Sequence, residues 1–294
     1  MGKKILRNRL QDNWRKSKKK KIFIHKSLIH LALISISVIF IFPFYWLVST
    51  SLKSNEQIFT FSPVWIPNPP QWVNYIKAWT FVPFATYLKN TLIICTSVVI
   101  GTVLSCSLVA YGFSRIKWVG RDTVFMLVLV VMMIPFQVRM IPLFIVFRSL
   151  GWLNTFLPLI VPTYFGVAFY IFLLRQFFLT IPFEFSDAAR VDGASDFWIW
   201  SRVILPLSKP AIATTALFQW IDQWEDFMGP LIYINDPKKF TLSLGLQQFQ
   251  SQHLGVEWGL LMAASTIMVL PIIVLFFFTQ KTFIQGITMS GLKG

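Results

Sequence analysis

Apolar positions along this chain gather into blocks of roughly 20 residues, separated by shorter polar stretches. At 1.5 Å per helical residue such a block crosses about 30 Å of hydrocarbon. The pattern predicts six spans, at about 28–48, 87–112, 123–147, 155–178, 211–234 and 259–279. Pro135 and Pro142 interrupt the third, with Gln137 and Arg139 between them. A break at that depth is tolerated where it lines a cavity or is buried in protein. Residues 49–86 are rich in Pro and Trp and read as an irregular loop with short helices. The small residues Ser97, Gly101, Ser105 and Ala110 suit close helix–helix approach within the second span. The predicted fold class is all-α, a polytopic membrane protein.

One polar interruption, Pro182 to Pro210, carries a helical pattern of its own. Pro182 suits a first helical turn, and Glu184 and Asp187 suit the positive end of the helix dipole. Gly193 supplies a stop, Ser195 or Asp196 can cap a second short helix, and Pro206 is expected to end it. Phe197, Trp198, Trp200 and Ile204 are the expected anchors against the spans, and the product is a helix–turn–helix knob.

Charge placement orients the chain. Of 294 residues, 55% are hydrophobic and 13% charged, about half the charge of a soluble protein of this size. The net charge of +15 invites a nucleic-acid reading, yet 11 of the 27 Lys and Arg lie in the first 26 residues, directly before an apolar run. A basic tail in that place keeps its end in the cytoplasm and can touch anionic lipid head groups. No nucleic-acid-binding motif accompanies it. With the N-terminus inside, 20 of the 27 cationic residues fall on the inner side. Both termini and residues 182–210 are therefore expected in the cytoplasm. The expected organisation is a basic tail at 1–27, a first helix with its external loop at 28–86, a five-helix core at 87–279 and a tail at 280–294.

Catalytic chemistry finds little support. No glycine-rich loop ends in Lys-Ser or Lys-Thr. His25, His30 and His253 lack the spacing of a metal site, and no nucleophile elbow appears. Cys95 and Cys106, eleven residues apart on one helix, cannot pair with each other and read as plain buried thiols. An acidic cluster, Asp222, Glu225 and Asp226 interleaved with Trp220 and Trp224, lies inside the fifth predicted span. Intramembrane carboxylates usually face a wet cavity or a partner, and alternating rings and carboxylates suit sugars. Arg139 either lines the same path or snorkels to the outer interface.

The segment Asp187-Ala188-Ala189, then Gly193, then Val203-Ile204-Leu205-Pro206, resembles the cytoplasmic EAA loop of type I ABC importer permeases. The spacing is kept; Asp replaces the usual Glu and Val the usual Ile. The words Asp192-Gly193-Ala194-Ser195, Ile141-Pro142-Leu143-Phe144 and Gln285-Gly286-Ile287-Thr288 are similar to the carbohydrate-uptake branch, as is Gly291-Leu292-Lys293-Gly294. The family's common Trp-Asn-Glu-Phe run stands here as Trp224-Glu225-Asp226-Phe227. The resemblance implies a non-enzymatic subunit of a bacterial plasma-membrane importer. It implies a heterodimer with a second permease, two ATPase subunits that bind ATP and Mg, and an external solute-binding protein delivering carbohydrate. No cofactor or metal is implied in this chain. Asp187, Ala188, Ala189, Gly193, Leu205 and Pro206 would meet the ATPases. Gln137, Arg139, Asp222, Trp224, Glu225 and Asp226 would face the solute, and the Gly291–Gly294 tail would reach the ATPase interface. The rival, an ion-gradient-driven transporter or channel subunit, calls for an inverted repeat and an ion-coupling carboxylate pair. No clear repeat is visible.

Overall fold

The computed structural model describes the backbone of residues 2–251 and 255–291 and the side chains of residues 21–250 and 256–280. Helix α1 (Gly2–Ser51) carries a candidate span at Lys21–Ser51, and its apolar stretch is bare, as a lipid-facing helix requires. Among its described residues, the far end is the packed part. Tyr45 Oη and Ser49 Oγ both donate to the Trp65 carbonyl, at 2.8 and 2.6 Å, and the Trp46 and Trp65 rings meet edge-on. The aromatic cluster at the end of α1 thus grips the following loop. That loop contains two short helices, Asn55–Ile58 under a Ser54 capping box and α2 (Val73–Phe81).

Helix α3 (Phe84–Arg115) is the axis of the molecule. Tyr87, Thr91, Ile94, Val98 and Gly101 recur at three- and four-residue spacing and are all buried, giving one face to its neighbours. Gly101 is demanded by packing, because a Cβ there would lie 2.6 Å from the Tyr164 ring. Cys95 and Cys106 are free, buried thiols on this helix.

The third predicted span is a bent pair. Helices α4 (Arg121–Met132) and α5 (Phe136–Ser149) meet at 98°. Pro135, lacking an N–H, sits at the break, whereas Pro142 is accommodated inside α5. The fourth candidate span covers Leu157–Thr180 and is itself jointed. A 3₁₀ turn at Val161–Phe165 ends at Gly166, φ +100°, before α6 (Ala168–Thr180).

The fifth predicted span departs from expectation. Helix α9 (Lys209–Glu225), which follows the polar knob formed by α7 (Glu184–Val191) and α8 (residues 196–207), has 17 residues, about 26 Å. A short helix, Met228–Tyr233, follows after a turn. Asp226 sits at the break, where its Oδ1 accepts the Gly229 N–H at 3.0 Å. The last helix, α10 (Trp258–Gly291), contains a candidate span at Trp258–Gln280. Among the described residues, four helices are long and apolar enough to cross a membrane, or five with the bent pair taken as one span. Strand structure is limited there to a two-residue antiparallel pairing, Gln250–Ser251 with Gly255–Val256.

Candidate functional site

The knob's first helix begins two residues later than its sequence suggests. Pro182 lies outside the first helix, and α7 (Glu184–Val191) starts after Phe183. Glu184 and Asp187 occupy its first turn and Arg190 its last, each sign at the helix end that favours it. Ser186 and Ala189 face inward, while Asp187 and Ala188 face outward. The C-terminus closes as a Schellman motif: Ala194 N–H donates to Ala189 O at 2.9 Å and Gly193 N–H to Arg190 O at 3.0 Å. Gly193 has φ +83°, a conformation that side chains with a Cβ resist.

Helix α8 then runs over residues 196–207. The Ser195 hydroxyl caps it, accepting from Trp198 N–H at 3.3 Å. Its middle, Trp200–Ile204, is a π turn, and it ends as Leu205–Leu207. Pro206 therefore does not end this helix. Leu205 N–H reaches back five residues to Trp200 O, and that widening makes room for the proline ring one residue later. The expected anchors divide. Trp200 and Ile204 are buried in one cluster with Ile199, Leu174 and Phe178. Phe197 and Trp198, by contrast, are 67% and 49% exposed, and Val191 is 88% exposed. Trp198 lines a depression of ≈ 570 Å³ together with Ala189, Asp192, Gly193, Ala194, Ser195 and Val203.

A polar network that sequence reasoning misses fastens the knob to α3 and α6. Arg115, 3% exposed at the end of α3, donates to the carbonyls of Phe178, Ile181 and Pro182. It thereby caps the orphan carbonyls at the end of α6. One turn earlier Tyr111 Oη donates to Asp196 Oδ1 at 2.8 Å. Arg190 bridges the two knob helices, with Nη2 at 3.1 Å from Asp196 and Nη1 at 3.1 Å from Asp187. The Tyr111 hydroxyl and then the Arg190 guanidinium hold the Asp196 carboxyl below the ordinary aspartate range. In the sequence Arg115 and Arg190 register only as topological charges, and Tyr111 as one more aromatic at the edge of a span. An arginine closing a long apolar helix was the available signal.

The acidic cluster is less uniform than its spacing suggests. Asp222 is exposed and accepts from Tyr170 Oη at 2.7 Å. Glu225 is exposed, with no hydrogen-bond or ion-pair partner among the described residues. Asp226 is partly buried; its carboxylate accepts the Gly229 N–H as described and also Gln223 Nε2–H at 3.4 Å. Trp224 is 1% exposed, stacks on Trp220 and donates Nε1–H to Met268 O at 3.1 Å. Trp224 is therefore a core side chain with no free face for a sugar. Gln137 and Arg139 are exposed in the first turns of α5 and make no hydrogen bond to the α9 carboxylates. Side chains beyond residue 280, including the Gln285–Thr288 and Gly291–Gly294 words, lie outside the described residues.

A knob of this spacing, bolted to a bundle of apolar helices, matches one family across residues 97–289: the binding-protein-dependent transport system inner membrane component. The chain belongs to that family. An arabinooligosaccharides transport system permease protein, AraQ, of Halalkalibacterium halodurans is 32% identical over 88% of this chain and 93% of its own length. The trehalose/maltose transport system permease protein MalG of Thermococcus litoralis is 33% identical over 92% of this chain and 98% of its own. Among solved structures, a bacterial ABC transporter that imports the acidic polysaccharide alginate superposes with TM-score 0.78. It covers 87% of this chain and 96% of its own at 24% identity, a likeness of fold. The rival reading as an ion-driven transporter falls with this membership, and the permease is a multi-pass membrane protein.

Proposed function

We propose that this permease is one of two transmembrane subunits of an ATP-driven importer for carbohydrate, specifically oligosaccharide. Its six spans would lie in a bacterial plasma membrane with both termini in the cytoplasm. Two ATPase subunits, which bind ATP and Mg, would each grip one permease, and an external binding protein would deliver the solute. Relatives named for trehalose/maltose and arabinooligosaccharide transport support the cargo class. The observation that carries the coupling role is the rigid, outward-facing knob. Trp198 lines a depression beside Gly193, the exposed Val191 and Phe197 are next in sequence to its lining residues Asp192 and Trp198, and Asp187, Ala188 and Pro206 are exposed on the same knob. Exposed apolar rings beside a concavity mark a protein interface on an otherwise packed element.

The solute path is proposed along α9, where Asp222 and Glu225 present carboxylates that accept sugar hydroxyls. Gln137 and Arg139 are assigned to the opposite arm of the path, and Asp226 shapes the wall. Trp224 is excluded by its burial. The deciding measurement is ATP hydrolysis by the reconstituted complex with its binding protein, using maltotriose and arabinotriose as probes. Stimulation by a loaded binding protein is expected; hydrolysis indifferent to every sugar and to the binding protein would overturn the carbohydrate reading.

A further inference from the structure

The knob makes its polar attachment to α3 through a short chain of groups that crosses three elements. Asp187 on α7 holds Arg190 at 3.1 Å; Arg190 holds Asp196 on α8 at 3.1 Å; Asp196 accepts from Tyr111 on α3 at 2.8 Å. A second strand of the same chain runs from Arg190 Nη2 to Arg115 O at 3.4 Å. The Arg115 guanidinium is in turn locked onto the end of α6 and lies 4.6 Å over the Phe183 ring. Charge-assisted hydrogen bonds of this kind fix geometry as well as adding energy. The apolar anchors Ile199, Trp200 and Ile204 hold the knob against the bundle, but a greasy contact permits sliding that a directional bond forbids.

We infer that Tyr111 and Asp196 form a latch that makes the knob and the inner end of α3 move as one body. Tyr111 is on this account a positioning residue: it touches no partner and acts through Asp196 on α8 and through Arg190 on α7. The inference rests on the proposed coupling role of residues 182–210 and adds to it the route by which a push on the knob reaches the central span. The acidic residue that faces outward, Asp187, is the outermost link, so displacement there is handed to α3 without passing through the π turn of α8.

The test measures distance inside the assembled complex. Spin labels go on Cys at Lys117 and Glu184, both exposed, one past the end of α3 and one in the first turn of the knob, away from its proposed docking face. The native thiols Cys95 and Cys106 are buried and stay unlabelled. Distances are recorded in the complex with its ATPase subunits, nucleotide-free and trapped with ATP and vanadate. With Tyr111 present, one narrow distance common to both states is expected. Tyr111→Phe removes only a hydroxyl and leaves the ring, and Asp196→Asn removes the charge; each is expected to broaden the distribution and shift it on trapping. Their double variant should go no further than either alone. Distributions for Tyr111→Phe and Asp196→Asn that coincide with wild type in both states overturn the latch. A wild-type permease that does not co-purify with the ATPase subunits overturns instead the coupling role beneath it.

Discussion

Gly101 sits where α3 passes the Tyr164 ring so closely that hydrogen is the only side chain the gap admits. Gly101→Ala should lower the thermal midpoint of the detergent-purified permease, with overpacking of this kind costing about 1–3 kcal/mol. Tyr164 is 44% exposed, so Tyr164→Ala should be mild alone and should restore part of the loss in the double variant, the Thr163 hydroxyl at 2.8 Å from the added Cβ keeping the rest. Additive effects in that cycle would show that the close approach is not the cause. Asp196 supplies a pH prediction. Its folded pKa is depressed, so the unfolded chain binds the proton more tightly. The contribution is then complete at neutral pH and is lost as pH falls through the folded pKa. The midpoint gap between wild type and Asp196→Asn should accordingly be full at about pH 7 and shrink as pH falls below the ordinary aspartate value of about 3.9. A gap independent of pH would remove the carboxylate from the account.

Within α9, neighbouring residues of one motif serve different ends. Trp224 is packed among Tyr87, Leu242 and Ala264, so Trp224→Ala should cost on the order of 3 kcal/mol and reduce folded yield. Glu225→Gln touches no packed group and should leave the unfolding midpoint unchanged while altering the sugar concentration needed for half-maximal uptake. Equal loss of stability in both variants would mean that the exposed side of α9 is structural as well. From sequence the two residues look alike, since both belong to one alternating run of rings and carboxylates. Helical phase decides which faces the core, and three neighbouring helices set that phase together. The knob was legible for the opposite reason. Its Gly193 stop and Ser195 cap are local devices, readable wherever the spacing is kept. Pro206 was misread because a π turn, invisible to propensity, absorbs it. The break at Asp226 was hidden by the apolar residues Phe227 to Ile234, which continue the hydropathy of the fifth span past the end of its helix.

Across the whole molecule, charge and exposure converge on one sided arrangement. The net charge of +15 is concentrated in the first 26 residues, ahead of the apolar stretch of α1, and around the ends of α3, α6 and α8. Lys117 and Arg121 follow α3 directly, and Val119 between them is fully exposed at 101%. The loop before α3 carries the fully exposed Phe61 and no cluster of cations. If α3 crosses the membrane once, these two positions lie on opposite faces, with the cationic one inside. Single cysteines at Phe61, Val119 and Val191 test this directly, because the native Cys95 and Cys106 are buried and give little background. A membrane-impermeant maleimide applied to intact cells should label Phe61→Cys alone. After permeabilisation it should label Val119→Cys and Val191→Cys as well. Labelling of Phe61→Cys and Val119→Cys from the same side would mean that α3 does not span. Labelling of Val191→Cys from outside would place the knob beyond reach of any cytoplasmic ATPase, and the coupling role would fall with it.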